Sequence, residues 1–448
     1  MSFHTAICPY GVLFLLAFTA ISGVAGEDVT IFLREPAGIL RPSYPVAAMF
    51  TLPGATAEDL RFRLLDEGGS PIAAQFRSDQ TRGSDRVFWL DFQADLKPHA
   101  SRTYTVQSGP DVERGPERAS GHRLTETPTA WNIENAPYLT WTIPRDLSGL
   151  VTSLSVPPVK FLRATSPGLT IVDRTGTPHA LADQATNTIV SRVVRAGRFA
   201  VALRFEVTAS TSALQGVRSI IDLHFPVSRS WMEVDWKLFD PLGMTTGRTM
   251  ELHLQLDRPA TDAPTLVDFG ATTLVYTALY PGQESELRAT GTRGLPTRQS
   301  DSSPVENGGQ RHSRPGRGQS QTDERPDPAW KVLRGPSGDL KPFFVAPLEG
   351  TQTAEGWAHV MDRRKCLALA ISEFGRRTDD RISISADGSV TLERNSPESG
   401  VSKNHEEAAP FRFWLHFVRF PPQHGAGTSP QAMQNPIDVQ VLRGPKSP

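Results

Sequence analysis

The chain has 448 residues, a length that suits about two or three domains. Its 47 Lys and Arg residues nearly balance its 48 Asp and Glu residues, which argues against nucleic acid as the main partner because phosphate binding needs a basic surface. The 36 Gly and 37 Pro residues leave little room for long helical runs, so we expect an all-β protein.

Residues 1–26 are predicted to be an export signal. The apolar run GVLFLLAFTAI at 11–21 has the length of a signal core, and VAG at 24–26 supplies small residues for cleavage. The alternative is an uncleaved membrane anchor, although this run is shorter than the ~20 residues of a spanning helix. We expect a secreted or periplasmic protein without a membrane span after cleavage. Its remaining cysteine, Cys366, lies in the apolar run CLALAI and is predicted to be a buried small hydrophobe.

Residues 27–108 are predicted to form a small β-barrel domain. The stretch DLRFRLLDEGGSPIAAQFR holds two strand-like runs around the turn signal DEGGSP, and RVFWLDFQADL alternates two faces along one strand. SRTYTVQSG alternates in the same way, and helical periodicity is absent. Residues 109–129 are polar, contain Gly and Pro and have no period, which predicts a linker.

Residues 130–442 are predicted to form a large antiparallel β-sandwich. Long strand-like runs recur in pairs, as in NTIVSRVVRAGRFAVALRFEVTAS and in VRSIIDLHFPV followed by SWMEVDWKLFDP. RISISADGSVTLER reads as a hairpin whose Asp387–Gly388 turn suits type I′ geometry. Between about 283 and 329 the chain has almost no apolar residue, so it cannot bury enough surface to offset its ordering entropy, and we predict a disordered insertion.

Two tryptophan–histidine pairs are the best candidates for a functional surface. Trp357 and His359 share one face of a predicted strand, and Trp414 and His416 share one face of FRFWLHFVRF at 411–420. Tryptophan offers a flat apolar plate with one N–H, which suits the flat C–H faces and hydroxyl edges of a saccharide. The alternative is that neighbouring protein covers these residues, as it does most large aromatics, and we expect this for Trp414 and His416.

Other candidate residues would supply polar groups to the same ligand. His405 and Glu406 lie in the loop SKNHEE, just before the last of these strands. Trp231 and Glu233 share one face of the strand SWMEVDWKLF with Asp235, and paired carboxylates can serve glycoside hydrolysis, although such i, i+2 pairs are common on exposed sheet faces. No GxGxxG, Walker, GxSxG or HExxH sequence occurs and no histidine spacing fits zinc, so we predict no cofactor and no metal.

Most of the chain between residues 30 and 420 resembles the exo-rhamnogalacturonan lyase-like family. REPAGILRPSYPVAAMFTLP, GSPIAAQFRSD, DRVFWLDFQADL and SRTYTVQSG are similar to the RIFT-related barrel that opens that family, with Ile72–Gln75 and Val87–Phe92 in the places of its strand phrases. VVRAGRFAVALRFEV, IIDLHFPVSRSWMEVDWKLFDP, EGWAHVMDRRKCLALAISEFG and SGVSKNHEEAAPFRF match its central β-sandwich in order. The resemblance implies a small barrel followed by a galactose-mutarotase-like supersandwich.

The resemblance stops short of catalysis. Members assigned lyase activity continue into a helical toroid, and their cleft usually lies between toroid and sandwich; since no such segment follows here, no catalytic residue is carried over. We therefore expect a non-catalytic protein that binds polysaccharide or assembles with a partner. One alternative is a lyase or hydrolase acting on an acidic polysaccharide, with Glu233, His359, His405 and His416 as acid–base groups. The other alternative is a structural protein of the cell envelope.

Overall fold

The computed structural model describes residues 28–53, 60–82, 85–135, 139–156, 159–163, 166–227, 229–258, 263–271, 274–289, 329–346, 354–376, 378–395, 410–419 and 430–443. Within these ranges the regular structure is almost entirely β, apart from a 3-10 turn at Ser212–Leu214 and a short helix, α1, at Pro430–Gln434. The prediction of an all-β protein is confirmed. The predicted signal at 1–26 lies outside the described residues, within which no helix is long and apolar enough to cross a membrane.

An N-terminal unit is built from two antiparallel sheets. Its strands are β1 Val29–Arg34, β2 Arg41–Pro53, β3 Arg61–Leu65, β4 Pro71–Ile72, β5 Ala74–Arg82, β6 Asp85–Leu96, β7 Ser101–Gly109 and, from the far end of the chain, β30 Asp438–Arg443. One sheet has the order β30-β1-β7-β3-β4 and the other the order β2-β6-β5. Alternate residues such as Ile31, Phe50, Leu90 and Val106 point between the sheets and share one core, as the period of two predicts.

The last strand joins the N-terminal unit, although residues 130–442 are predicted for the sandwich. β30 pairs antiparallel with β1 along its whole length. The segment that leads into β30 is held by Arg41. The side chain of Arg41 is buried, and its Nη2 lies 2.9 Å from Oε1 of the buried Glu35. The same guanidinium donates to the carbonyl oxygens of Ala432 and Asn435 at 2.6 and 2.5 Å. The alternation of IDVQVL indicates a strand, but it does not indicate which sheet the strand joins. Here the partner strand, β1, lies at the other end of the chain.

The sandwich consists of two large antiparallel sheets and a smaller third sheet. The eight-stranded sheet, in the order β14-β13-β19-β28-β27-β22-β23-β24, contains β13 Gly168–Asp173, β14 Pro178–Ala180, β19 Thr245–Gln255, β22 Gln283–Ala289, β23 Trp330–Pro336, β24 Lys341–Val345, β27 Asp379–Ser385 and β28 Ser389–Asn395. The nine-stranded sheet, in the order β15-β16-β17-β18-β29-β26-β25-β20-β21, contains β15 Asn187–Arg195, β16 Ala200–Ala209, β17 Arg218–Pro226, β18 Trp231–Phe239, β20 Thr265–Gly270, β21 Leu274–Leu279, β25 Trp357–Met361, β26 Lys365–Ile371 and β29 Phe411–Arg419. The third sheet contains β8 His122–Glu126, β9 Ala130–Asn135, β10 Leu139–Pro144, β11 Ser153–Val156 and β12 Val159–Lys160.

One apolar core fills the sandwich. Val234 and Trp236 of β18 and Phe413 and Leu415 of β29 are fully buried on its inner side. The third sheet adds to the same core, where Trp141 lies edge-on to aromatic rings of the nine-stranded sheet. Because successive side chains of a strand alternate, the residues between these buried ones all lie on the outer face of the nine-stranded sheet.

Two segments predicted to be connectors contain strands. β8 lies inside the predicted linker at 109–129 and pairs with β9. β22 lies inside the predicted insertion at 283–329 and pairs with β23 and β27. Their sequences, HRLTE and QESELRA, lack strong apolar alternation, so these strands depend on backbone pairing with their neighbours and escape a prediction based on hydrophobic period. Residues 290–328 of the insertion lie outside the described ranges.

Candidate functional site

The outer face of the nine-stranded sheet carries two rows of aromatic and titratable residues. The first row, read across neighbouring strands, is Arg195, Ala202, His224, Glu233, Trp414, Ala370 and Trp357. The second is Trp231, His416, Ala368, His359 and Asp268. Directly opposed side chains on one face of a sheet are close enough to interact. The two predicted tryptophan–histidine pairs therefore belong to one surface, which the sequence alone does not establish.

Most of this surface is covered by other parts of the chain. Trp357, Trp414 and His416 are only 7, 3 and 3% exposed. Helix α1 lies against β25, β26 and β29, and the core of the N-terminal unit includes Trp357, Trp414 and Trp231. The ring of Trp231 meets that of Tyr44 edge-on at 6.2 Å. The expectation that neighbouring protein covers Trp414 and His416 is confirmed, and the same holds for Trp357.

The end of the surface at β25 is closed by polar contacts. The Nε1–H of Trp357 donates to the carboxylate of Glu355, which also accepts from Nε2 of Gln431 at 3.0 Å. The ring of His359 lies 5.2 Å from that of Trp357, and its Nδ1 is 3.5 Å from Oδ2 of Asp268. Trp357 is therefore buried with its N–H paired, and His359 remains partly exposed beside Asp268.

The other end of the surface opens into a cavity of about 360 Å³ between the N-terminal unit and the sandwich. We call it the junction cleft. The polar and aromatic residues that line it are Tyr44, Trp89, Asp91 and Phe92 of the N-terminal unit and Arg195, Phe199, His224, Phe225, Trp231, Glu233, Arg412 and Trp414 of the sandwich. Met433 and Pro436, in and after α1, complete the wall. A cleft of this size with a few polar groups among aromatic walls is typical of small-ligand sites.

An ion pair joins the two sides of the junction cleft. Nη1 of Arg195 lies 2.9 Å from Oδ1 of Asp91, and both side chains are buried. The guanidinium also lies over the ring of Trp89, 5.0 Å from its centroid. Burial raises the pKa of Asp91, while the nearby Arg195 and Arg77 act in the opposite direction. This buried ion pair therefore connects β6 of the N-terminal unit to β15 of the sandwich.

Glu233 is the acceptor at the centre of the cleft. Its cross-strand neighbours are His224 and Trp414. Nε of Arg412 lies 3.5 Å from Oε1 of Glu233, and its Nη2 lies 2.8 Å from Oδ2 of Asp235. Burial lowers the pKa of His224, with the charge of Glu233 acting against that shift, so the imidazole is neutral at neutral pH. The site therefore combines carboxylate acceptors, guanidinium donors and a neutral imidazole that can do either.

The predicted site residues are brought together only in part. Trp231, Glu233 and Trp414 line the junction cleft, whereas Trp357 and His416 are buried outside it and His359 is partly exposed outside it. The loop with the predicted His405 and Glu406 lies outside the described residues.

Sequence reasoning missed four polar residues of the cleft: Asp91, Arg195, His224 and Arg412. Two of them carried a usable signal. Asp91 shares a strand face with Trp89 in the run RVFWLDFQ, and Arg412 shares a strand face with Trp414. Arg195 and His224 carried none, because strand pairing alone places them beside the others.

Metal and thiol chemistry find no support in the described part of the chain. There, no group of three or more His, Cys, Asp or Glu residues is placed to hold a metal ion. Burial raises the pKa of Cys366 to about 12, so its thiol stays protonated and is a poor nucleophile. Cys366 is a buried hydrophobe, as predicted.

No family model and no curated protein matches the sequence. Among solved structures, a protein in glycosyl hydrolase family 38 from Enterococcus faecalis is similar at a TM-score of 0.53 and 9% identity, over 93% of this chain and 47% of that chain. An alpha-mannosidase from Enterococcus faecalis V583 gives a TM-score of 0.48 at 9% identity, over 94% of this chain and 47% of that chain. This chain spans about half of each of these structures, and the first likeness establishes a shared fold.

Proposed function

We propose that the chain binds a saccharide in the junction cleft without cleaving it. The observation that carries the proposal is the presence of the half-buried Trp89 and Glu233 in one cavity of about 360 Å³, whose wall also contains the buried Trp231, Trp414 and Asp91. Aromatic side chains suit the C–H faces of a sugar ring, and carboxylates suit its hydroxyl groups. The shared fold with a protein in glycosyl hydrolase family 38 supports a carbohydrate-related role for this sandwich.

The balance of charge in the cleft favours a neutral sugar. Arg195 faces Asp91 at 2.9 Å, and Arg412 faces Glu233 and Asp235 at 3.5 and 2.8 Å. Since each guanidinium already has a carboxylate partner, neither charge is left to attract an anion. Their remaining N–H groups can still donate to sugar hydroxyls.

The same pairs support a binding role over catalysis. A general acid or base must exchange a proton directly with its substrate, whereas Asp91 and Glu233 already lie within 2.9 and 3.5 Å of a guanidinium partner. A lyase also needs cations to neutralise the carboxylate of a uronate, and here both cations are engaged. The resemblance to rhamnogalacturonan lyase-like proteins is therefore proposed to reflect a shared scaffold.

Cleavage of a glycosidic bond is the second candidate, favoured by one observation. Burial raises the pKa of Asp91, as a general acid requires, and a second carboxylate, Glu233, lines the same cleft. Incubation with the bound saccharide separates the two functions. Formation of reducing ends, or of the absorbance of unsaturated ends, that is lost in Asp91→Asn would establish cleavage and contradict the binding proposal.

The binding proposal is tested on immobilised neutral and acidic oligosaccharides, followed by calorimetry with the best ligand. Glu233→Gln is expected to weaken binding roughly tenfold or more, because a hydrogen bond to a charged group contributes about 1.5–3 kcal/mol. Glu134→Gln is the control, since Glu134 lies on β9 in the third sheet and does not line the cleft. Absence of any glycan ligand, or equal binding by Glu233→Gln and Glu134→Gln, would refute the proposal.

The predicted export signal at residues 1–26 makes a secreted or periplasmic location part of the proposal. A polysaccharide ligand is met outside the cytoplasm, so a saccharide-binding role and an export signal at 1–26 fit one another. Expression of the full chain with its native N-terminus, followed by mass determination of the protein in the extracellular or periplasmic fraction, tests this part. A chain that keeps its full mass and stays with the cytoplasmic fraction would contradict it.

A further inference from the structure

A second cavity, of about 490 Å³, lies in the N-terminal unit. It is bounded by β3, β5, residues 114–118 and the turn between β15 and β16. Five arginines line it, and we call it the arginine cavity: Arg61, Arg77, Arg114, Arg118 and Arg198. Phe199 lines both this cavity and the junction cleft, but their polar residues are different. The arginine cavity therefore needs an explanation of its own.

The floor of the arginine cavity is aromatic. The rings of Phe62 and Phe76 are stacked with their centroids 4.9 Å apart, and Phe88 lies 4.8 Å from Phe62. Phe62 and Phe76 are half-buried, whereas Phe88 is buried beneath them. Part of each of the two upper rings thus remains open to the cavity. Such a floor suits a ligand with a flat apolar body.

The charge above this floor is strongly positive. Among the described residues that line the cavity, Glu117 is the one acidic residue, against five arginines. Arg77 and Arg198 donate to the backbone carbonyls of Val194 and Arg118, contacts that orient their guanidinium groups without cancelling the charge. Arg61 and Arg114 show no ion pair with a carboxylate of the described residues. The cavity therefore presents cations that are not neutralised within this part of the chain.

We propose that the arginine cavity binds a small carboxylate ligand with a flat apolar body, such as an aromatic acid. The planar guanidinium matches a carboxylate in a bidentate manner, and a ring bound on Phe62 and Phe76 places its carboxylate near the arginine rim. Cavities of this size hold small molecules. The proposal is independent of saccharide binding, because no arginine of this rim lines the junction cleft.

Calorimetry with 2-naphthoate tests the proposal, with 2-naphthylmethanol as a neutral probe of similar shape. We expect one site for 2-naphthoate and binding of the alcohol at least about tenfold weaker, since the alcohol cannot pair with the guanidinium groups. Equal affinity for the two probes would overturn the proposal. Displacement of 2-naphthoate by an equal concentration of galacturonate would also overturn it, because galacturonate has the charge without the apolar body.

Variants locate the binding within the protein. Arg61→Gln/Arg114→Gln is expected to weaken 2-naphthoate binding at least about tenfold, as the loss of two charge-assisted contacts requires. Arg363→Gln is the control, because Arg363 is exposed in the turn between β25 and β26. Arg114 lies outside the strands, so Arg114→Gln alone is the variant to measure if the double variant does not fold. Unchanged affinity in a folded variant of either kind would refute the assignment.

Discussion

The two cavities contain similar residue types and differ in how their charges are paired. In the junction cleft, Arg195 and Arg412 both face carboxylates within 3.5 Å. In the arginine cavity, Arg61 and Arg114 face none among the described residues. Both cavities have aromatic walls, so their aromatic content does not distinguish their ligands. In the two sites as proposed, the pairing state of the arginines, more than their number, distinguishes a site for a neutral ligand from a site for an anionic ligand.

The largest expected effect comes from breaking the pair that defines the junction cleft. Arg195→Met leaves the buried Asp91 without its partner, which is expected to lower the free energy of unfolding by roughly 3–5 kcal/mol. Urea-induced unfolding measures the change. Arg192→Met on the same strand is the control, because Arg192 pairs with Glu206 at the exposed surface and is expected to cost less than about 1 kcal/mol. Equal stability of the two variants would show that the Arg195–Asp91 pair contributes no more to the free energy of unfolding than an exposed ion pair does.

Acid is expected to loosen the segment that closes the junction cleft. Burial alone would raise the pKa of Glu35, but hydrogen bonds from Arg41 and from the backbone of His99, Ile39 and Ala37 lower it to about 2. Because the folded pKa lies below the ordinary value of 4.5, this contribution is present above pH 4.5 and is lost as the pH falls towards 2. The loss amounts to roughly 3 kcal/mol.

Glu35→Gln isolates that contribution. Arg41 also holds the carbonyl oxygens of Ala432 and Asn435, so protonation of Glu35 weakens the anchor of the chain segment that lines the cleft. Unfolding free energies measured from about pH 6 to pH 3 are expected to fall more steeply for the natural protein than for Glu35→Gln. Parallel curves for the two proteins would rule out Glu35 as the source of the acid sensitivity.

A smaller effect is expected when the aromatic wall of the junction cleft is changed. Trp89 is half-buried at the cleft, so Trp89→Ala is expected to weaken saccharide binding roughly tenfold, through loss of one stacking face. Tyr276→Ala is the control, since Tyr276 is exposed on β21 at the edge of the nine-stranded sheet and does not line the cleft. If both variants bind the saccharide as tightly as the natural protein does, the cleft wall is not the binding surface.

Local patterns in the sequence account for the strands better than for the site. The alternation in WMEVDWKLF and FRFWLHFVR correctly divides β18 and β29 into a core face and an outer face. No local pattern indicates that these two strands are neighbours, which is what places Glu233 opposite Trp414. The same limit explains why β30 was predicted for the sandwich. The pairing of strands that are distant in the sequence depends on the whole fold, and an apolar period of two does not indicate which strands pair.

Burial of the tryptophans is a second lesson about the site. The pairs Trp357–His359 and Trp414–His416 were candidates because a flat tryptophan ring beside a hydrogen-bonding histidine suits a saccharide. The structure buries Trp357, Trp414 and His416 and leaves His359 partly exposed, and the open cleft forms at one end of this surface. A site at the junction of two units combines residues whose partners are distant in the chain, such as Asp91 and Arg195. It is therefore the part of the molecule that sequence patterns describe least well.

The smallest expected effect, a change of a few-fold with salt, gives the most direct test of the comparison between the cavities. Raising sodium chloride from about 0.05 to about 0.5 M shortens the screening length from over 10 Å to under 5 Å. Binding of 2-naphthoate in the arginine cavity is expected to weaken several-fold, because cations without carboxylate partners attract it. Saccharide binding in the junction cleft is expected to change by less than about twofold, since its cations and carboxylates are already paired at short range. Equal salt dependence of the two affinities would mean that charge pairing does not separate the cavities, and their ligands would then have to be distinguished by shape.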